Sequence, residues 1–142
     1  MKTVKHILQQ KPAVLIAVNQ RTSVYEALEI MMEKNISALL VMENQTLQGI
    51  FTERDYARKI ILKGKSSKDT PIADVMTATL LTVSQDSSIN DCMNLMTHRH
   101  IRHLPVIEDG KVTGMISIGD LVKFIIEEQQ QTIQQLESYI NS

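Results

Sequence analysis

The sequence predicts an α+β fold built from two pseudo-twofold-related copies of one unit, packed face to face and followed by a C-terminal helical extension. Three observations carry this. Residues 18 to 61 align without a gap on residues 83 to 126, at a constant offset of 65, with identities at Val18/Val83, Ser23/Ser88, Met31/Met96, Leu39/Leu104, Val41/Val106, Gly49/Gly114 and Asp55/Asp120. Within each copy the apolar periodicity changes in the same order, from helical spacing to two short apolar runs and back to helical spacing. A unit of about 45 residues is also near the size below which a chain seldom buries a self-sufficient core, so the copies must cover each other's apolar faces. Two like units packed this way leave a pair of related clefts between them, a usual place for small ligands.

Each unit opens with a short extended piece, Leu15 to Val18 or Leu80 to Val83. Helix-start signals follow at Ser23-Val-Tyr-Glu26 and Ser88-Ile-Asn-Asp91, where a serine can cap the third amide and an acid stands three positions on. Val24, Ala27, Leu28 and Met31 then recur at helical spacing, as do Ile89, Cys92, Met93 and Met96. Two apolar runs come next in each copy, Ala38 to Met42 with Leu47 to Phe51, and Leu104 to Ile107 with Lys111 to Ile116. Asp109-Gly110 tolerates positive φ at both centres of a tight hairpin, and Asn44-Gln45 is a weaker signal of the same kind. Pro105 cannot donate a ladder bond, so its strand is expected at an edge, or Pro105 at its start. A second helix begins near Thr52 or Ser117.

The polar stretch Lys63 to Pro71 reads as the linker between copies. The expected organisation is a first repeat with its N-terminal segment and linker in 1–70, a second repeat in 71–127 and a helical tail in 128–142. Leu121, Ile125, Ile133, Leu136 and Ile140 fall on one stripe of that last helix with Gln129. Such a tail docks back on its own domain or pairs with another subunit.

A net charge of −1 argues against nucleic-acid binding through bulk positive charge. Basic residues nevertheless crowd 54–68, where Arg54, Arg58, Lys59, Lys63, Lys65 and Lys68 leave a nucleic-acid role as an alternative. Cys92 is the single cysteine, which precludes an internal disulfide, fits a reducing compartment and sits at core spacing. The longest apolar run, Ala13 to Val18, is too short to span a membrane, and no secretory signal is seen, so the expected location is cytoplasmic. His98, His100 and His103 invite a metal reading, but residues two apart on a helix diverge, and no metal is expected.

Both copies carry one further element where the second strand meets the second helix: Gly49-Ile-Phe-Thr52-Glu-Arg-Asp55 and Gly114-Met-Ile-Ser117-Ile-Gly-Asp120. In one reading Thr52 and Ser117 are N-caps, and Asp55 and Asp120 complete the cap and suit the helix dipole. In the other, a helix start aimed at a cleft offers amides and a hydroxyl to phosphate, and a carboxylate accepts the hydrogens of a ribose diol.

These residues are similar to the cystathionine β-synthase domain, a β-α-β-β-α module found in tandem pairs whose signature is glycine, two apolar residues, Ser or Thr, two variable residues and Asp. Asp74-Val-Met-Thr77 and Ile101-Arg-His-Leu-Pro-Val106 also match, and the resemblance covers the chain to about Glu127. It implies adenosine-containing ligands, AMP, ATP or NAD(H), in the clefts between the modules, with no cofactor required. By resemblance Asp55 and Asp120 would hold ribose and Thr52 and Ser117 would contact ribose or phosphate. Ser37, Ala38, Arg102 and His103 would line the adenine or phosphate region, with Pro105, Val18, Thr82 and Val83 completing the set, and Arg54, Arg102 and His103 are also phosphate partners on charge grounds. Arg102, His103 and Pro105 correspond to Ser37, Ala38 and Leu40, so the two clefts should differ in charge. The resemblance also implies a homodimer and an unidentified regulated protein. With no nucleophile beside a base and no paired catalytic carboxylates, the expected function is a regulatory binding module and not an enzyme. An interaction scaffold with vestigial clefts is the alternative.

Overall fold

A computed structural model describes residues 2–11 and 15–141. Helix α1 (Val4–Gln10) precedes the first unit, which runs through β1 (Ala17–Val18), α2 (Val24–Lys34), β2 (Ala38–Glu43), β3 (Thr46–Thr52) and the short α3 (Glu53–Asp55). A π-helical segment, Tyr56–Ile61, continues α3. The second unit has α4 (Ile89–Arg99), β4 (His103–Glu108), β5 (Lys111–Ser117) and the long α5 (Ile118–Asn141).

The offset of 65 reappears as hydrogen-bond register. Val41 lies opposite Gly49 and Val106 opposite Gly114, and each hairpin carries a bulge in the same place, after Val41 or after Val106. β1 pairs in parallel with β2 through Val18 and Val41, while its counterpart is a single parallel bridge between Val83 and Val106. Both hairpin turns have positive φ at two successive residues, Asn44 and Gln45 in one, Asp109 and Gly110 in the other. The weaker turn signal therefore marks the same turn geometry. Pro105 sits inside β4, not at its start, and its carbonyl accepts from Val83 N. Its missing donor faces that single-bridge side, where the equivalent Leu40 N donates to Ile16 O at 3.4 Å, so the proline leaves the second unit one parallel bond short.

Ser23 and Ser88 cap α2 and α4, accepting from Glu26 N at 3.1 Å and Asp91 N at 3.0 Å. Each helix ends on a left-handed residue, Asn35 or His100. The strands then sort their side chains by alternation. Leu39, Val41 and Phe51 pack under α2, with Ile60, Ile72 and Val75. Ala38, Leu40 and Ile50 turn the other way and meet Leu80, Val112 and Met115 of the second unit. That apolar seam is the face-to-face packing of the two sheets.

α1 belongs to the core of the second unit, although it precedes the first in the chain. Val4 and Ile7 are buried with Cys92, Leu104, Ile116, Leu121 and Phe124. Val4 N donates to Ser87 O and Lys5 N to Gln85 O. In α5 only Leu121 and Phe124 are buried, and every described residue from 129 to 141 is exposed. The tail thus projects from the body and does not fold back on it.

Candidate functional site

The two serine/threonine–aspartate elements sit at equivalent places and are held differently. Thr52 Oγ1 accepts from Asp55 N, and Asp55 Oδ2 accepts from Thr52 N at 3.0 Å and Thr52 Oγ1 at 3.1 Å, a reciprocal cap. Asp55 Oδ1 accepts from Thr77 Oγ1 at 2.9 Å and pairs with Lys59 Nζ at 3.1 Å. Both carboxylate oxygens are occupied from within the chain, and Asp55 is only 6% exposed. Thr77, in the motif before the second repeat, is therefore a ligand of this carboxylate.

Asp120 is capped in the same way, by Ser117 N at 2.8 Å, while Ser117 Oγ accepts from Asp120 N. Its other partner is Lys11, whose Nζ donates to Oδ2 at 2.8 Å and to Met115 O at 2.8 Å. Burial raises the Asp120 pKa, but the Lys11 bond and charge and the Ser117 bonds outweigh it and hold the carboxyl below the usual range. Its side chain remains 23% exposed. His103, which begins β4, stands close enough to feel Asp120, Lys11 and Arg102, and its Nε2 lies 3.2 Å from Ser37 Oγ. Burial is the main reason its pKa is lowered; Asp120 opposes the shift, and Lys11 and Arg102 add to it.

The expected residues thus divide into two groups. One gathers Ser37, His103, Ser117 and Asp120 with Lys11, which sequence reasoning did not single out, while Arg102, next to His103, is exposed. Lys11 aligns with Met76 at the repeat offset, so no duplicated signal marked it. The other gathers Thr52 and Asp55 with Thr77 and Lys59. Arg54 reaches across the seam instead, donating from Nη1 to His100 O at 2.8 Å. Ala38 is buried in the inter-sheet cluster. Val18 lines a shallow concavity of about 520 Å³ with Thr22 and Asn44, which lies apart from both aspartates. Val83 is buried, Thr82 is exposed, and Pro105 is buried in β4.

The basic stretch is partly spent on internal contacts. Lys59 also donates to Val75 O at 2.9 Å, and Lys68 Nζ lies 4.9 Å from the Tyr25 ring centroid. His98 Nδ1 is 2.7 Å from Asn94 O, His100 caps α4 and His103 faces Ser37, so the three histidines diverge. Among the described residues no cluster of His, Cys, Asp or Glu has the arrangement of a metal site.

Fold and site together define a tandem pair of small α+β modules whose sheets face each other, each with a capped aspartate beside the seam. The chain belongs to the CBS domain family, whose model matches residues 4–62 and 72–127. It is 46% identical over 123 residues to the mitochondrial CBS domain-containing protein CBSX3 of Arabidopsis thaliana, covering 83% of this chain and 60% of that protein. The chain therefore spans about 60% of the length of that relative. A putative signal-transduction protein with CBS domains from Burkholderia ambifaria superposes with a TM-score of 0.87 at 46% identity, over 90% of this chain and 96% of the other. Two similar structures hold ligands. CBSX2 in complex with AMP has a TM-score of 0.74 at 27% identity, covering 91% and 99% of the two chains. The CBS domain pair of protein MJ0100, in complex with 5′-methylthioadenosine and S-adenosyl-L-methionine, has a TM-score of 0.79 at 27% identity, covering 90% and 98%. Among the described residues no helix is long and apolar enough to cross a membrane.

Proposed function

We propose that the chain is a regulatory, non-catalytic module that binds a phosphorylated adenosine compound, AMP, ATP or NAD(H), beside Asp120. Occupancy passes to a partner protein through a change in shape or assembly. The observation that carries this reading is the collection of Lys11, His103 and Ser117 around one partly open carboxylate, with Arg102 next to His103 in the chain. Lys11 and the Ser117 amide both donate to Oδ2, so a ribose hydroxyl can donate to Oδ1. Arg102 and Lys11 supply cationic donors for phosphate, and they oppose the sulfonium of S-adenosylmethionine by like charge. The Asp55 cleft serves the ligand less readily, because a ribose there must displace Thr77 or Lys59.

AMP in CBSX2 and the adenosine compounds in MJ0100 support the ligand class. The reading includes homodimer assembly, a separate regulated protein and a reducing compartment such as the cytoplasm.

A thermal-melt series tests it, with AMP, ATP, NADH and S-adenosylmethionine against the parent chain, Asp120→Ala, Lys11→Ala and Asp55→Ala. A ligand at a hundred times its Kd adds about 2.7 kcal/mol. The expected result is a rise with a phosphorylated ligand that Asp120→Ala and Lys11→Ala lose and Asp55→Ala keeps. No rise with any ligand at millimolar concentration overturns the reading in favour of a scaffold. A rise lost only in Asp55→Ala moves the site to the other cleft.

A further inference from the structure

The C-terminal half of α5 leaves the body as a bare helix, and its exposed apolar residues keep a strict spacing. Val122, Ile126, Gln129, Ile133, Leu136 and Ile140 alternate steps of four and three, the a and d positions of a heptad. Val122 is 42% exposed, Ile126 48%, Ile133 54%, Leu136 57% and Ile140 76%. This seam differs from the α5 face that anchors the body through Leu121 and Phe124. A helix of this length standing alone in water is marginal, so a seam that is apolar at every one of these positions but Gln129 calls for a partner helix.

We infer that the partner is α5 of a second copy of this chain, running antiparallel. The choice of partner and direction rests on charge and register. In the antiparallel pairing the core layers are Val122 with Ile140, Ile126 with Leu136 and Gln129 with Ile133. Lys123 and Glu137 both fall at e positions, and antiparallel helices place e beside e, so each Lys123 meets Glu137 of the second copy. A parallel pair instead places e beside g, where Glu137 meets Thr132 and Lys123 meets no acid. The antiparallel arrangement also sets each negative helix C-terminus beside a positive N-terminal half. The body receives the second copy's helix tip. A groove of about 240 Å³ at the base of α5 is lined by Ser88, Ile89, Asn90, Phe124 and Ile125, and in this register Ile125 lies opposite Tyr139 of the second copy. This pairing rests on the homodimer included in the proposed function and deepens it, and it does not depend on nucleotide binding.

Sedimentation of the full chain, combined with single-cysteine cross-linking, tests the pairing. Val122 and Ile140 are 18 residues, about 27 Å, apart along a helix, and the native Cys92 is buried, with a thiol pushed up to about 11, so it can be left in place. A mixture of Val122→Cys and Ile140→Cys chains is expected to form a disulfide-linked dimer under mild oxidation, and each variant alone is not. Lys123→Glu and Glu137→Lys should each weaken dimerisation several-fold, with the double variant restoring it, and the exposed Leu136→Glu should weaken it at least tenfold. Self-cross-linking of either variant alone means a parallel pair and overturns the inference. So does a Leu136→Glu chain that remains dimeric, since another surface then makes the dimer. A parent chain that stays monomeric at millimolar concentration overturns it as well. Circular dichroism on each variant verifies that the fold is intact.

Discussion

Two glycines at equivalent positions meet different neighbours. A Cβ on Gly49 would come within 2.8 Å of both Thr77 O and Met76 Sδ, whereas a Cβ on Gly114 would meet Leu8 Cδ2 at 2.8 Å. A carbonyl that belongs to a backbone bridge with Ile50 cannot retreat, while the end of a leucine side chain can. Gly49→Ala is therefore expected to cost about 1–3 kcal/mol and Gly114→Ala distinctly less, as read by urea denaturation of the two variants. The site histidine gives a second expectation. Half-buried, with the charges of Lys11 and Arg102 opposing protonation and Asp120 only partly compensating, His103 has a pKa held below the usual imidazole value in the free protein. A phosphate beside it favours the protonated ring, so affinity for a phosphorylated ligand should rise as pH falls from about 8 toward 6.5. Calorimetric titration should show proton uptake, and His103→Gln should abolish it. Without ligand the sign is opposite. The lowered pKa values of His103 and Asp120 contribute stability that is present above their unfolded values and lost as pH falls through the folded ones.

At the scale of elements, α1 both closes the second core and positions Lys11. Ile7 is 3% exposed and packs in the second core with Leu121 and Phe124, four residues before the cation that holds Asp120. Ile7→Ala should cost about 2–5 kcal/mol in a denaturant titration, and a ligand that needs Lys11 should lose affinity in the same variant. This coupling was not legible from the chain, because α1 lies outside the aligned repeats and its contacts are far away in sequence. Lys11 is also of a residue type that usually stays solvated. The helix starts at Ser23 and Ser88 and the hairpins were legible, since capping and turn chemistry are local. The reciprocal cap at Thr52 and Asp55 was legible too, but not that Thr77 would complete the carboxylate's shell. The second helix of the first unit reads as a counterpart of α5, yet it is one short turn, Glu53–Asp55, continued by the π-helical Tyr56–Ile61. The wider turn still buries Ile60 in the core, so the apolar pattern does not distinguish it.

Across the whole molecule, duplication explains what the sequence conveys well and what it conceals. Matching registers follow from matching residues, and the apolar seam of Ala38, Leu40 and Ile50 against Val112 and Met115 follows from the need of two small units for each other. Function depends on where the copies depart. Equivalent carboxylates are closed by Thr77 and Lys59 in one half and by Lys11 in the other, so a nearly symmetric frame presents two unequal clefts. The pairing of α5 belongs to this scale too, because it would join two such frames through their projecting helices.

The packing of α1 also sets an order of events during synthesis. The socket of Val4 and Ile7 includes Leu121 and Phe124, which are made more than a hundred residues later. At translation rates of about 5–20 residues per second, that interval is roughly 6–24 s. Through that time Val4 and Ile7 have nothing to cover them. The nascent chain thus carries an uncovered apolar segment until α5 emerges.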